Sequence, residues 1–516
     1  MKKTLNMIIM LILISIFYSC SSTQGIKSKD YELVIVHTND VHARAISSDK
    51  ELGYANIESV IDDLKKDPKN KEVIFLDAGD TLHGTPFANL EKGESIAKIL
   101  DKMNLKVMTL GNHDFNYGQE RVKQIDSQFK FDIIASNVVY KDSGKSFTKK
   151  YIIEEVDGVK VGIFGLSTPE TAYKANTGHV KGLVFKDPIL TSQEIVKELK
   201  SQDVKFIILL SHLGLDSSTE ERYRSSSIAK NVEGIDLIID GHSHTKLSEK
   251  ILVNKSSIVQ TGKYSENIGV VKVDFDDNSI ETKLLSNQDF SNNVNKSSSK
   301  EKETELSRYI AQIKSEQNKI TSKVIGRTPV KLVGDREIVR ASQTNLSNLI
   351  ADSMVWKTKA DMAITIGGGI RASINPGPIT VGDILTVLPF GDYIVTKEVT
   401  GKMIKDALEH GFRETPNLLG GYSQVGGITL NLDITKPQGE RVSNIKFKNG
   451  KRFDLNKNYI VVMNEFIATG GDDYTQFINA KNIAVYDELD KVLTEYFKTL
   501  KKFPEKEDGR VRVFTH

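Results

Sequence analysis

The sequence predicts an α/β fold with two domains, and two observations carry this prediction. Short runs rich in valine, isoleucine and leucine alternate with segments of helical pattern, as parallel strands joined by helices do. The five most distinct runs are ELVIVHT, EVIFLDA, LKVMTL, VKFIILLS and GIDLIID. The chain has 516 residues, of which 39 % are hydrophobic, and this is enough apolar material for two cores.

A short polar cluster follows each of these runs. The clusters contribute Asp40 and His42, Gly79 and Asp80, Asn112 and His113, His212, and finally His242 and His244. Side chains just past the carboxyl ends of parallel strands converge on one crevice, so we expect the five clusters to form one site. Within two of the clusters the residues are two apart, and an extended backbone would point both side chains the same way.

The chemistry of this set favours two divalent metal ions. Carboxylate, carboxamide and imidazole groups without a thiolate suit Mn, Zn, Co, Mg or Fe. Two such ions about 3.5–4 Å apart form a clamp for in-line phosphoryl displacement. A single histidine in such a position is more often a hydrogen-bonded core or surface residue, so the prediction rests on the whole set.

The motifs around these residues, taken in order, resemble a known family. IVHTNDVH, FLDAGD, GNHDFNYG, SHLG and DGHSH are followed by GDREIVRASQTN, GGGIRASI, GPITVGDILTVLPFGD and NEFIATGGDDY. Over about residues 32–474 they are similar to the bacterial 5′-nucleotidase and UDP-sugar hydrolase family. The resemblance implies an N-terminal metallophosphoesterase domain of α/β sandwich form and a C-terminal α/β substrate-binding domain, joined by a helix.

The same resemblance implies which residues hold the metal ions. It assigns the first ion to Asp40, His42, Asp80 and His244, and the second to Asp80, Asn112, His212 and His242. Coordination of water by such ions lowers its pKa from 15.7 towards about 7 and so supplies the attacking group. The resemblance makes His113 the residue that stabilises the transition state or protonates the leaving oxygen, with residue 116 orienting its ring.

The C-terminal motifs contain groups suited to an anionic substrate. Arg336, Arg340 and Arg371 carry guanidinium forks that match phosphate oxygens, and by resemblance they hold the terminal anionic groups of the substrate. Any one of them could equally be a solvated surface arginine. Their place in matched motifs favours binding.

Two aromatic residues and one carboxylate resemble the nucleoside site of the family. Phe390 and Phe466 correspond to the pair that sandwiches the nucleobase, where stacking contributes about 1–3 kcal/mol per base. Asp472 would accept hydrogen bonds from the ribose hydroxyls. Without the motifs, either phenylalanine would be interpreted as a core residue.

The sequence departs from the family pattern at two positions. Asn116 stands where the nucleotidases commonly carry an aspartate, and the related 2′,3′-cyclic phosphodiesterases often carry asparagine there. Ile366 stands where many relatives have an asparagine that touches the base. These differences bear on which substrate is hydrolysed.

Three functions therefore remain open. The favoured one is a two-metal phosphohydrolase acting as a 5′-nucleotidase, with UDP-sugar hydrolysis as an extension of it. The second is a 2′,3′-cyclic-nucleotide 2′-phosphodiesterase with 3′-nucleotidase activity. The third is a non-catalytic, surface-anchored nucleotide-binding lipoprotein, which would have no need of His113 or of a bridging Asp80.

The N-terminus is typical of a targeting segment. Lys2 and Lys3 precede an apolar stretch over residues 7–18, which ends near Cys20, the only cysteine of the chain. We expect residues 1–20 to be a lipoprotein-type signal peptide, residues 21–30 a tether, and Cys20 a lipid anchor to a membrane. Phe17 stands where leucine is usual in such signals, so an ordinary signal, cleaved or not, is the alternative. The expected location is the extracytoplasmic cell envelope, in the periplasm or at the cell surface.

Charge and linker composition complete the predicted organisation. With 70 basic against 68 acidic residues the net charge is +2, so we expect no nucleic acid polymer as a partner. We expect the metallophosphoesterase domain over residues 31–289, a linker and interdomain helix over residues 290–323, and the substrate-binding domain over residues 324–516.

Asp157-Gly158 between alternating apolar residues predicts a hairpin.

Overall fold

In the computed structural model the described residues are 30–175, 178–216, 219–294 and 304–515. The predicted signal peptide, nearly all of the predicted tether and the predicted lipid anchor at Cys20 lie outside these ranges. No helix in the described ranges combines the length and the apolar character needed to cross a bilayer.

Fourteen strands form the first half of the described chain. They are β1 (Tyr31–Thr38), β2 (Asn70–Asp77), β3 (Leu105–Thr109), β4 (Asp132–Ile134), β5 (Val138–Tyr140), β6 (Tyr151–Val156), β7 (Val159–Ser167), β8 (Leu183–Phe185), β9 (Phe206–His212), β10 (Leu237–Asp240), β11 (Ile251–Val253), β12 (Ser256–Val259), β13 (Asn267–Asp274) and β14 (Ser279–Ser286). One six-stranded sheet has the order β14-β13-β1-β2-β3-β4, and another has the order β11-β12-β10-β9-β7-β6. A separate pair joins β5 and β8.

Eight helices accompany these strands. They are α1 (Gly53–Lys66), α2 (Pro86–Asn89), α3 (Glu94–Lys102), α4 (Gln119–Gln128), α5 (Thr171–Lys174), α6 (Pro188–Ser201), α7 (Ser225–Asn231) and α8 (Asn287–Val294), with 3₁₀ turns at His113–Phe115 and Glu221–Tyr223. Aliphatic residues from both sheets, among them Ile35, Leu76, Leu210 and Ile239, form one buried cluster between the sheets. Helices cover the outer faces. This is the predicted α/β sandwich.

The five predicted strands are present, but they are shared between the two sheets. β1, β2 and β3 run parallel in one sheet, and β9 and β10 run parallel in the other. The predicted hairpin is also confirmed, because β6 and β7 pair antiparallel around Asp157 and Gly158. Both turn residues have positive φ, 50° and 81°, as a two-residue hairpin turn of this kind requires.

The second half of the described chain has ten strands. They are β15 (Val324–Thr328), β16 (Met362–Ile366), β17 (Gly377–Thr380), β18 (Tyr393–Thr400), β19 (Ser423–Gly426), β20 (Ile428–Asp433), β21 (Val442–Phe447), β22 (Asn458–Asn464), β23 (Lys481–Glu488) and β24 (Val511–Phe514). The main sheet has the order β19-β16-β22-β18-β23, next to a three-stranded sheet β21-β20-β24 and a pair β15-β17. Alternate residues of β16 and β22 enter two separate cores, one on each face of the main sheet.

Seven helices accompany this half. They are α9 (Glu305–Thr321), α10 (Arg336–Val339), α11 (Asn345–Thr358), α12 (Val381–Val387), α13 (Gly401–Gly411), α14 (Glu465–Ala468) and α15 (Leu489–Thr499), with 3₁₀ turns at Gly367–Gly369, Gly471–Asp473 and Thr475–Phe477. The fold is thus α/β in both halves, as the sequence predicts.

Helix α9 is the predicted interdomain helix, and it packs on the first half of the chain. Leu306, Ile310 and Ile313 are buried in the core that also contains α1 and α3, whereas Ile320 is 54 % exposed. Thr304 begins the helix with a capping box closed by Ser307. The helical spacing in the sequence therefore identified the buried stripe for its first three members.

The stretch predicted as a polar linker contains one helix that the sequence did not indicate. α8 begins directly after β14, where the backbone N–H and the hydroxyl of Ser286 donate to Asp289 Oδ2 at 2.9 and 2.6 Å. This side-chain cap compensates for the weak helical propensity of the asparagines and serines that follow.

Candidate active site and metal centre

The structure brings the predicted metal ligands together at the edge where the strands of both sheets end. Asp40 and His42 follow β1, Asp80 follows β2, Asn112 follows β3, His212 ends β9, and His242 and His244 follow β10. They form two groups whose potential ligand atoms lie within 4.8 Å of one another: Asp40 with His42 and His244, and Asp80 with His212 and His242. The convergence expected from the strand ends is present, while the role of each residue stays a prediction.

The local backbone at these residues is unusual. Asp40, His42, Asp80, His242 and His244 have φ of 50°, 48°, 56°, 77° and 58°. A non-glycine residue in this left-handed region costs about 1–2 kcal/mol, and such residues collect at functional sites where the surroundings hold them. The extended backbone that the sequence suggested between the paired ligands is therefore wrong, and tight left-handed turns direct the side chains inward instead.

His212 shows that the second group suits a cation. Its Nδ1–H donates to the carbonyl of Ala78 at 2.7 Å, so Nε2 is the ring nitrogen that is directed at the carboxylates. That Nε2 is buried, has no hydrogen-bond partner among the described residues, and lies 3.2 Å from Asp80 Oδ2. Although burial opposes it, the carboxylates of Asp80 and Asp40 raise the pKa of His212 to about 10. The position favours positive charge, which a divalent ion would supply.

The first group, Asp40 with His42 and His244, also suits a cation. His42 Nε2 lies 3.3 Å from His244 Nε2, and His244 Nε2 lies 3.4 Å from Asp40 Oδ1. Burial lowers the pKa of both histidines, which keeps the rings neutral, the form that binds a metal. Asn112 Oδ1 is a further buried oxygen, and no described residue donates a hydrogen bond to it. The donor set therefore fits two divalent ions, with nitrogen and oxygen atoms only.

Backbone hydrogen bonds fix the carboxylates of this centre. Asp114 accepts from the backbone N–H groups of Asp80, Thr81, Leu82 and Gly111 at 2.8–3.0 Å and so ties the turn after β2 to the turn after β3. Asp80 Oδ1 accepts from the N–H of His113 at 2.7 Å. The ligand positions are therefore held by the protein itself.

Glu170 and Lys174 belong to the site and were missed by the sequence reasoning. Glu170 Oε2 lies 3.3 Å from His242 Nε2 and 2.7 Å from Lys174 Nζ. Burial alone would raise the pKa of Glu170, but His242 and Lys174 lower it to about 2. A carboxylate on one ring nitrogen leaves the other nitrogen of His242 to face the metal. No motif marked this pair, because it lies in a connection after β7.

Asn116 contacts two histidines rather than one. Its Nδ2 lies 3.1 Å from His113 Nδ1 and 3.0 Å from His83 Nδ1. His83 Nε2 in turn lies 3.1 Å from the carbonyl oxygen of Pro389 in the second half of the chain. Burial lowers the pKa of His83 to about 4. Sequence reasoning missed His83, and a polar residue three positions after Asp80 was the only signal for it.

The second half of the chain contributes side chains to a cavity beside the metal centre. The ring of Phe390 stacks on His83 and His113, with centroids 5.3 and 5.6 Å apart, and Arg371 lies over the ring of Phe390 at 5.7 Å. Tyr264, with φ of 58°, places its ring 5.7 Å from that of His42. One cavity between the two halves is lined by His42, His83, Tyr264, Arg371 and Phe390.

The three predicted arginines form a positive cluster beside this cavity. Burial and the charges of Arg336 and Arg371 lower the pKa of Arg340 to about 9. Arg336 Nε is buried and makes no hydrogen bond to the part of the chain that the structure describes. Gly367, which precedes Arg371, has to be a glycine, because a Cβ there would lie 2.0 Å from the carbonyl oxygen of Val339. Guanidinium groups that repel one another at close range are suited to an anion.

The predicted nucleoside residues lie on neighbouring turns. Phe466 packs its half-buried ring on Gly471, where a Cβ would lie 2.6 Å from the ring. Asp472 has φ of 49°, and its carbonyl accepts from His410 Nε2 at 2.8 Å. Ile366 is only 3 % exposed and belongs to a core cluster. Position 366 is therefore part of the packing here, and the pairing of Phe390 with Phe466 around a base stays a prediction.

Comparison with known proteins agrees with this architecture. Residues 33–246 match the family described as calcineurin-like phosphoesterase, and residues 324–479 match the 5′-nucleotidase C-terminal domain. The trifunctional nucleotide phosphoesterase protein YfkN of Bacillus subtilis is 33 % identical in an alignment of 529 positions that covers 93 % of this chain and 35 % of that protein. This chain thus spans about a third of the length of that relative.

Two further relatives are matched almost from end to end. The 5′-nucleotidase of Mus musculus is 29 % identical over 93 % of this chain and 90 % of its own. The crystal structure of a 5′-nucleotidase precursor from Thermus thermophilus superimposes with a TM-score of 0.78 at 30 % identity, over 94 % of this chain and 99 % of that one. The chain belongs to the 5′-nucleotidase family of metal-dependent phosphoesterases, with a calcineurin-like domain followed by a 5′-nucleotidase C-terminal domain.

Proposed function

We propose that this enzyme hydrolyses phosphate monoesters of nucleotides, with nucleoside 5′-monophosphates as its main substrates. The observation that carries the proposal is the position of Phe390 and Arg371. Both belong to the C-terminal domain, yet the ring of Phe390 stacks on His113 at the metal centre of the N-terminal domain, and Arg371 lies over that ring. A substrate held by its base and phosphate would span this junction.

We assign the candidate ligands as the sequence suggests. Asp40, His42, Asp80 and His244 would hold one ion, and Asp80, Asn112, His212 and His242 the other. When bound, the ions supply positive charge at the phosphoryl group and an activated water. In the overall reaction the water oxygen bonds to phosphorus, the ester P–O bond breaks, and the leaving oxygen ends with a proton.

The remaining roles fall to side chains around the cavity. Arg340 and Arg371 would neutralise the phosphoryl oxygens, with Arg336 behind them. His113 would donate a hydrogen bond to the reacting group as negative charge develops. Phe390 and Phe466 would stack on the base, and Asp472 would accept from the ribose hydroxyls.

Release of inorganic phosphate tests the proposal. Purified protein with added Mn would be assayed side by side on AMP, UDP-glucose and 2′,3′-cAMP. We expect AMP to be hydrolysed fastest, and chelation to abolish the reaction. No phosphate from any of the three would instead support a binding protein, the third function considered from the sequence.

A second candidate is a 2′,3′-cyclic-nucleotide phosphodiesterase with 3′-nucleotidase activity. Asn116 favours it, because related cyclic phosphodiesterases often carry asparagine at this position. The relative from Bacillus subtilis is described as a trifunctional nucleotide phosphoesterase, which supports considering more than one kind of nucleotide substrate. Faster turnover of 2′,3′-cAMP than of AMP in the same assay would select this alternative.

We also propose an extracytoplasmic location with a lipid on Cys20. The support is the pattern of the first 20 residues, together with relatives described as a precursor and as a venom enzyme. Cys20→Ser should move the protein from the membrane fraction to the soluble fraction, provided that the signal is still cleaved. A wild-type N-terminal peptide without lipid mass would contradict the anchor.

A further inference from the structure

We infer that His83 is a positioning residue that sets the hydrogen-bonding state of His113 through Asn116, and that contact with the carbonyl of Pro389 selects the state of His83. This rests on the role proposed for His113 and goes beyond it, because it links that residue to the meeting of the two domains.

His83 contacts the C-terminal domain through the carbonyl oxygen of Pro389. A carbonyl oxygen can only accept a hydrogen bond, so His83 Nε2, at 3.1 Å from Pro389 O, has to carry a hydrogen. Asn89 Nδ2 donates to the same oxygen at 3.0 Å. Both donors come from the N-terminal domain, and the acceptor comes from the C-terminal domain.

The neutral charge state of His83 determines which group of Asn116 faces it. The ring is 1 % exposed and lies near the positive charge of Arg371, so it is neutral. A neutral imidazole with its hydrogen on Nε2 has a lone pair on Nδ1. The group of Asn116 that faces this lone pair at 3.0 Å therefore has to be the amide nitrogen.

The orientation of the Asn116 amide in turn determines which nitrogen of His113 carries the hydrogen. The same amide nitrogen lies 3.1 Å from His113 Nδ1, and its second hydrogen is available for that atom. His113 Nδ1 is then an acceptor, and its one hydrogen is on Nε2. The ring is prepared to donate from Nε2 to a phosphoryl oxygen, with neither proton transfer nor a charged ring needed beforehand.

Asn116 and His83 match each other in this arrangement. An aspartate at position 116 would accept from both Nδ1 atoms, and His83 would then need hydrogens on both of its nitrogens. That ring would be a cation buried beside Arg371, which is unfavourable. The amide at position 116 removes this conflict.

Ring packing keeps His83 in place for this purpose. It lies nearly parallel to His113 at 6.0 Å and to Phe390 at 5.3 Å, and the ring of Tyr117 closes a third side at 5.2 Å. Rotation of the ring by half a turn would exchange the two nitrogens, and the packing together with the bond to Pro389 opposes it.

The test compares His83→Leu with His83→Gln in the zinc-loaded protein. Leucine fills the space without a hydrogen bond, whereas glutamine can donate to Pro389 O and accept from Asn116. We expect His83→Leu to lower kcat on AMP by about 10–100-fold with KM within about 3-fold, as for a loss of positioning. His83→Gln should recover most of the rate.

A spectroscopic measurement follows the ring nitrogens directly. Long-range proton–nitrogen correlation spectra of zinc-loaded, ¹⁵N-histidine-labelled protein distinguish the two neutral forms, and the signals lost in His113→Gln assign that ring. We expect hydrogen on Nε2 of His113 in the wild type and a mixture of forms in His83→Leu. Asn89→Ala is the matched control, since it removes the other bond to Pro389 and should leave the form of His113 unchanged.

The outcomes separate this inference from the proposed function. Hydrogen on Nδ1 of His113 in the wild type would overturn the inference, as would wild-type spectra and kcat in His83→Leu. If the wild type released no phosphate from nucleotides but showed the expected ring forms and their change in His83→Leu, the proposed function would fail and the hydrogen-bond chain would stand.

Discussion

The N-terminal and C-terminal halves of the candidate active site differ in the charged side chains that they contribute. In the N-terminal half, the carboxylate of Asp80 accepts from the backbone N–H of His113 and lies 3.2 Å from Nε2 of the buried His212 ring. In the C-terminal half, Arg336, Arg340 and Arg371 lie close enough to repel one another. Carboxylates and imidazoles predominate in one half, and guanidinium groups predominate in the other. Metal ions and a phosphate group would complete both, which indicates a site assembled around its substrate.

The largest effect should follow from Asp80→Ala. This carboxylate lies near ligands of both candidate ions, so its loss should remove metal from both positions and reduce phosphate release by more than about 10²-fold, since even outer partners of metal ligands contribute 10–100-fold. Metal analysis of the purified variant and the rate on AMP would be measured together. Asp63→Ala, which changes an exposed carboxylate paired with Lys66, is the control. Full activity in a metal-free preparation of the Asp80 variant would refute the two-metal site.

Arg340→Ala should affect the other half alone. A charge-assisted hydrogen bond contributes about 1.5–3 kcal/mol, so KM for AMP should rise by about 10-fold or more while metal content stays unchanged. Arg327→Ala removes an exposed arginine of the same domain and should leave KM as it is. Unaltered KM and kcat in Arg340→Ala would contradict the assignment of the anion site.

Glu170→Gln tests whether the metal centre depends on a residue outside its ligands. Glutamine keeps the size of the side chain but removes the charge that faces His242 and Lys174. We expect metal affinity to fall by about 10-fold, at the lower end of the range for such partners. Titration with zinc against a competing chelator would measure it, and Glu120→Gln on the surface of α4 is the control. Equal affinity in both variants would exclude Glu170 from the centre.

The smallest expected effect is that of Phe466→Leu. Leucine keeps part of the contact with Gly471 but cannot stack on a base, so the loss should be about 1 kcal/mol, or about 5-fold in kcat/KM on AMP. The rate on p-nitrophenyl phosphate, which has no base, should not change. A parallel loss on both substrates would show that Phe466 supports the fold rather than the base.

The two halves also differ in how far the sequence could predict them. The candidate metal ligands follow strand ends directly, so local pattern predicted that they converge, and the structure brings them together. Local pattern could not show that the strands belong to two sheets, since a parallel strand reads the same in either. Nor could it show Glu170 or His83, whose partners are 72 and 306 residues away along the chain. Such contacts depend on how the layers and the domains pack.

The burial of helix α9 has a consequence for where the protein can be divided. Leu306, Ile310 and Ile313 lie in the N-terminal core, and each buried aliphatic side chain contributes about 1.5–3 kcal/mol. Together they account for about 4.5–9 kcal/mol, comparable with the whole net stability of many domains. A fragment that stops before residue 304 should therefore fold poorly, while one that extends to residue 322 should be soluble and able to bind metal. The helix connects the two domains along the chain, but its three buried aliphatic side chains stabilise the N-terminal domain.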